Sequence, residues 1–95
     1  MKMLTIIYDS SIESSIMGLM DELEVKTWTK TEGFFGQGEA GLKLRTPVWP
    51  GANNQLLIGG EEARVREIAE SIWTLQSEFK LRPGIFMFLQ EVEEV

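Results

Sequence analysis

Few residues in this chain have the type and spacing to do chemistry. The string Gly36-Gln37-Gly38-Glu39-Ala40-Gly41 has the G-x-G-x-x-G spacing that lets backbone N–H groups approach a pyrophosphate. That fingerprint works where it follows a strand and opens a helix, so that the helix N-terminus meets the phosphate. Leu42 to Trp49, with Pro47 and Pro50 close by, does not read as a helix. The string therefore reads as a flexible glycine loop, with a phosphate-contacting loop of another kind left open. Ser10, Ser11, Ser14 and Ser15 offer hydroxyls, but with no histidine to activate one, helix capping and helix surface explain them. Glu61, Glu62, Glu91, Glu93 and Glu94 lack the convergent spacing a hard cation needs and read as helix-start and tail charges. Trp49 stands between Val48 and Pro50, where an aromatic anchors a partner or folds the loop back; Trp73 lies beside a helix stripe and reads as packing.

Composition narrows the chemistry further. There is no cysteine, hence no disulfide, thiolate metal site or thiol nucleophile, and without histidine the commonest general base and metal ligand is missing. No metal site and no enzyme is expected. Fifteen acids against nine bases give a net charge of −6, which repels phosphate backbones and makes nucleic acid an unsuitable partner. Met1 to Tyr8 is too short an apolar run for a signal-peptide core or a membrane span, so a cytoplasmic location without membrane insertion is expected. The 43% apolar and 25% charged content is that of a folded globular domain. At 95 residues a lone copy buries only roughly 60–65% of the surface its unfolded chain exposes.

The elements that must position these residues follow from periodicity. Met3 to Tyr8 reads as a strand that is apolar on both faces. Ser10 with Glu13 fits a capping box, after which Ile12, Ile16, Leu19, Met20 and Leu23 form the stripe of a first helix ending near Glu24. Val25 to Glu32 alternates and predicts a half-exposed second strand. From Gly33 to Asn54 the glycines and prolines predict a long, mobile connection. Gln55 to Ile58 predicts a short third strand, with Gly59 and Gly60 turning into a second helix whose stripe is Val65, Ile68, Ala69, Ile72, Leu75 and Phe79. Pro83 and Gly84 end the next connection, and Ile85 to Leu89 predicts a last strand, again apolar on both faces.

The order β-α-β, long loop, β-α-β is the split βαβ of a ferredoxin-like α+β fold, a single domain over residues 1–95. Right-handed crossovers put both helices on one face of a four-stranded antiparallel sheet with the first and third strands central. The other face is left bare, and it would carry Ile7 or its neighbours, Leu57, and either Phe86 with Phe88 or Ile85 with Met87. Monomers seldom expose apolar patches beyond several hundred Å², so self-association is expected to cover it.

At Lys30-Thr31-Glu32-Gly33-Phe34-Phe35-Gly36-Gln37-Gly38, and again at Pro83-Gly84-Ile85-Phe86-Met87-Phe88-Leu89-Gln90-Glu91-Val92-Glu93-Glu94, the chain resembles the PII signalling family. The resemblance implies a homotrimer whose sheets line a central core, adenine nucleotide in clefts between subunits, and a long loop that docks onto a transporter or an enzyme. It places Gly36 and Gln37 at the base of that loop beside the nucleotide phosphates and Gly38 at the start of the loop, all three in a ligand site with Lys80, Arg82 and Gly84, and Lys43, Arg45 and Trp49 in the partner-binding loop. The chain departs from the family in three ways. Ile85 stands at the family's lysine, the segment after the last strand is acidic instead of basic, and the loop lacks the family's tyrosine, since Tyr8 is the only one. With Lys80 and Arg82 as the remaining cations, nucleotide binding is expected to be weak or altered. Two other readings share the fold. One is a CutA-like divalent-cation tolerance protein, which the absence of Cys and His disfavours. The other is an acyl phosphate hydrolase, whose arginine cradle Tyr8-Asp9-Ser10 does not offer.

Overall fold

In the computed structural model, residues 1–34 and 53–95 are described. They form strand β1 (Lys2–Asp9), a short 3-10 turn (Ser10–Ile12), helix α1 (Glu13–Glu22), strand β2 (Thr29–Phe34), strand β3 (Asn53–Gly60), helix α2 (Glu62–Ser77) and strand β4 (Ile85–Glu91). The strands make one antiparallel sheet in the order β2-β3-β1-β4, the ferredoxin-like α+β arrangement expected from the element order. β1 is central because it alternates apolar residues on both faces. It pairs along its length with β3, Lys2 opposite Gly60 through Asp9 opposite Asn53, and with β4, Lys2 opposite Glu91 through Tyr8 opposite Ile85.

Both helices cover the same face. Leu4, Ile6 and Tyr8 of β1, Leu56 and Ile58 of β3, and Ile85 of β4 are buried against Ile12, Ile16 and Met20 on one side and Val65, Ile68 and Ile72 on the other. These are the residues the 3.6-residue stripes and the two-residue strand alternation select. Arg64 of α2 ties the helices together: its guanidinium donates to the Leu23 carbonyl, satisfying an open group at the end of α1.

Several boundaries differ from the sequence expectation. The second strand was expected over Val25–Glu32, but it occupies Thr29–Phe34. The first helix ends in a turn with Glu24 at φ 59°, and the Val25 N–H donates to the Met20 carbonyl at 2.8 Å, so Val25 closes the helix instead of opening a strand. The expected Ser10–Glu13 capping box is absent. Asp9 caps instead, accepting from the Ser11 N–H at 2.9 Å, and Glu13 is engaged elsewhere. Gly59 and Gly60 are not a turn but the last residues of β3, opposite Met3 and Lys2. Gly33, Phe34, Asn53 and Asn54 belong to strands, and the rest of the expected long connection, 35–52, lies outside the described residues. Gly33 sits at φ +84° in a bulge between Glu32 and Phe34, a backbone conformation that favours glycine.

Candidate functional site

The register fixes what the uncovered face carries, because residues directly opposite in an antiparallel pair share a face. One row across the sheet runs Thr31, Gln55, Ile7, Phe86; the next runs Thr29, Leu57, Thr5, Phe88. Apolar character rises from the threonines at the β2 edge to the phenylalanines at the β4 edge. Phe86 is 49% exposed and Phe88 57% exposed, so of the two sets left open for this face it is Phe86 with Phe88 that occupies it, while Ile85 is buried under the helices. Phe88 also borders a second feature. With Leu4, Val65, Ala69, Trp73 and Met87 it lines a groove of about 370 Å³ between β4 and α2. Trp73, expected to be packed, is 45% exposed along this groove.

The second surface is the end of the sheet where β2 leaves and β3 returns. Asp9, Phe34, Asn53 and Gly84 lie at that end; the Asp9 N–H donates to the Gly84 carbonyl at 3.2 Å. Of the expected ligand-binding residues, Gly84 is therefore placed beside the end of β1. Lys80 and Arg82 are exposed on the connection from α2, which is held by Gln76 donating to the Pro83 carbonyl at 2.8 Å. Gly36, Gln37 and Gly38, and the expected partner residues Lys43, Arg45 and Trp49, lie outside the described residues. Phe34 and Gly84 stand at opposite lateral edges of this end, three strand spacings or roughly 14 Å apart. Within one chain, the connection bearing Lys80 and Arg82 and the point where β2 ends thus do not face each other across a cleft.

Under the helix-covered face, close to the same end, lies a polar cluster that sequence reading missed. The Glu13 carboxylate, on the first residue of α1, accepts from three strands. Tyr8 Oη of β1 is at 2.5 Å and Asn54 Nδ2 of β3 at 2.9 Å, both on Oε1, and Lys30 Nζ of β2 is at 2.5 Å from Oε2. Lys30 also lies 3.4 Å from Glu32 and 5.6 Å from the centre of the Trp28 ring. Burial opposes the charge on Glu13, but the hydrogen bonds from Lys30, Tyr8 and Asn54, with the Lys30 charge, outweigh it and hold the carboxyl below its usual range. Tyr8 is fully buried; burial first, then the bond to Glu13, pushes its hydroxyl well above the ordinary phenol range. The available signal was Tyr8 itself, a hydroxyl in the buried register of Leu4 and Ile6 that must find a partner. Its partner lies five residues on, but the others are 17 and 41 residues from Glu13, beyond any local pattern.

The tail acids divide. Glu91 pairs with Lys2 at 2.9 Å and with the terminal amine at 3.2 Å, fastening β4 to β1 at the end of the sheet opposite Gly84. Glu62 pairs with Arg66 along α2. Among the described residues no cluster of three or more His, Cys, Asp or Glu is placed to hold a metal ion, and no helix is long and apolar enough to cross a membrane.

No protein-family model matches the chain, and no curated protein matches it in sequence. Solved structures do match. A PII-like signalling protein from Thermus thermophilus is 24% identical, with a TM-score of 0.60 over 94% of this chain and 83% of that one. CPII, a nitrogen regulatory PII-like protein from Thiomonas intermedia K12, has been seen bound to ADP, AMP and bicarbonate; it is 20% identical, with a TM-score of 0.66 over 97% of this chain and 93% of that one. Its apo form matches at 18% identity and a TM-score of 0.65 over 96% and 89%. At these identities the likeness establishes the fold, which is that of PII-like signalling proteins.

Proposed function

We propose that the chain is one subunit of a trimeric, non-enzymatic, PII-like regulatory protein of the cytoplasm. It meets a partner protein, a transporter or an enzyme, through residues 33–54, and it takes a small anionic ligand weakly between subunits. The observation that carries this reading is the uncovered sheet face with Ile7, Leu57, Phe86 and Phe88, apolar surface that a second and third copy would remove from water. The separation of Phe34 from Gly84 supports it too, since a neighbouring copy would bring the two halves of a ligand cleft together. The nucleotides and bicarbonate seen with CPII support ligands of that class here, with Gly36, Gln37, Gly38, Lys80, Arg82 and Gly84 as the contacts.

Light scattering coupled to size exclusion tests the assembly, and a thermal-shift series with ADP, AMP, ATP, bicarbonate and dicarboxylates tests the ligand. A ligand at a hundred times its dissociation constant stabilises by about 2.7 kcal/mol. The expected result is a trimer mass with a shift from at least one of these anions; a monomer at micromolar concentration with no shift overturns the reading.

A further inference from the structure

The Glu13 cluster does more than fill a gap in the core. Lys30 and Glu32 stand two residues apart on β2, Asn54 is opposite Glu32 on β3, and β2 ends at Phe34 just beyond them while β3 begins at Asn53. One carboxylate at the start of α1 thus gathers a donor from each of three neighbouring strands, two of them at the roots of segment 35–52. Lys30 is shared: it bonds Glu13 at 2.5 Å and pairs more loosely with Glu32, on its own strand, at 3.4 Å. Between Glu32 and Phe34 the bulge at Gly33 supplies a place where β2 bends without breaking its remaining pairs.

We infer that Glu13 is a latch holding the roots of segment 35–52 to the first turn of α1, and that Lys30 is its exchangeable arm, passing to Glu32 when Glu13 is neutralised or removed. The device has two arrangements. With Lys30 on Glu13, the ends of β2 and β3 are clamped to the helix. With Lys30 on Glu32, β2 keeps its charge pair within the strand and its end is free to turn at Gly33. As a regulatory element the latch rests on the reading of residues 33–54 as a partner-binding loop, but its existence is tested without any partner. The ionisable groups that face Glu13 are Tyr8 from β1 and Lys30 from β2, with Glu32 behind Lys30; Asn54 from β3 is neutral.

Two measurements on the full chain at neutral pH decide it. Amide hydrogen exchange compares wild type with Glu13→Gln, reading residues 29–34, 53–56 and the first turn of α1 against the body of α2 as an internal reference. The latch requires exchange to rise about tenfold or more at both roots and at the helix start together, with α2 unchanged. The second is a double-mutant cycle by denaturant unfolding. Glu32→Gln should be nearly silent in wild type but lower the folding equilibrium by about threefold or more in the Glu13→Gln background, where Lys30 depends on it. Equal effects of Glu32→Gln in both backgrounds, or roots that exchange no faster in Glu13→Gln, overturn the inference. If Glu13→Gln does not fold, Lys30→Met with Glu13 intact replaces it, and exchange at the β2 root must then rise by the same criterion. A trimer that fails to form leaves these readouts intact, so failure of the latch and failure of the assembly are separate results.

Discussion

The two faces of the sheet are built from alternate residues of the same strands and have opposite fates. On β1, Leu4, Ile6 and Tyr8 are at most 2% exposed, whereas Met3, Thr5 and Ile7 between them are only partly covered. On β4 the contrast is sharper, with Ile85 6% exposed and its neighbour Phe86 49%. Two helices suffice to close one face of four strands, and nothing else in the described chain closes the other. The lesson is that a substitution should be judged by its face: under the helices it acts on the fold, and on the bare side on the proposed assembly.

The largest expected effect belongs to the closed face. Ile6→Ala removes a fully buried side chain from the central strand and should lower unfolding stability by about 2–5 kcal/mol, read as a shifted denaturation midpoint. A loss under about 1 kcal/mol would show that this face is less tightly packed than its burial indicates. On the open face, if the chain forms the proposed trimer, Phe86→Glu with Phe88→Glu should leave far-UV circular dichroism unchanged while the mass falls to that of the monomer. A variant that keeps the mass of a trimer would mean that this face is not where copies meet.

A smaller effect is expected where the closed face turns polar. Tyr8→Phe deletes one hydrogen bond to Glu13 and should lower stability by about 1 kcal/mol at neutral pH. Because the folded-state value of Glu13 is depressed, its contribution is complete above the ordinary carboxylate range and is lost as the pH falls through the lowered value. Acid unfolding followed by fluorescence should therefore be steeper in wild type than in Glu13→Gln; identical profiles would show that Glu13 gains nothing from its three donors. The smallest effect on the fold belongs to the exposed connection. On the proposed reading of Lys80 and Arg82 as ligand contacts, Lys80→Ala with Arg82→Ala should leave the midpoint in place while weakening any nucleotide binding seen in calorimetry, from an expected ATP affinity no tighter than about high micromolar to millimolar. Low-micromolar ATP binding in the unsubstituted protein would show that the missing cations are replaced by others.

The contrast between faces also explains what the sequence made legible. Met3 to Tyr8 and Ile85 to Leu89 announce two-sided strands, and the spacing of Ile12, Ile16 and Met20 and of Val65, Ile68 and Ile72 announces one covered face; from these the sheet order follows. Boundaries set by a single backbone torsion were not legible: nothing in Glu24 marks a left-handed residue, so β2 was expected to begin four residues too early. Glu13 has the spacing of a capping residue, and only the folded arrangement of Tyr8, Lys30 and Asn54 gives it another use. Of the candidate ligand site, Gly84 and its neighbours were legible as an end to the last connection. Their distance from the β2 root was implicit in the expected sheet order, since central first and third strands leave β2 and β4 at opposite edges.

The pairing of β1 has a consequence for how the chain is made. It leaves the ribosome before both of its partners, β3 and β4, which are encoded after residue 52. At about 5–20 residues per second, synthesis of the rest takes on the order of ten seconds, during which an apolar strand with two unpaired edges has no native neighbour. Both of its strand partners are distant in sequence, which makes such a domain slower to fold than a helical bundle of its size. The central strand that organises the finished sheet is therefore the part of the nascent chain most in need of a chaperone.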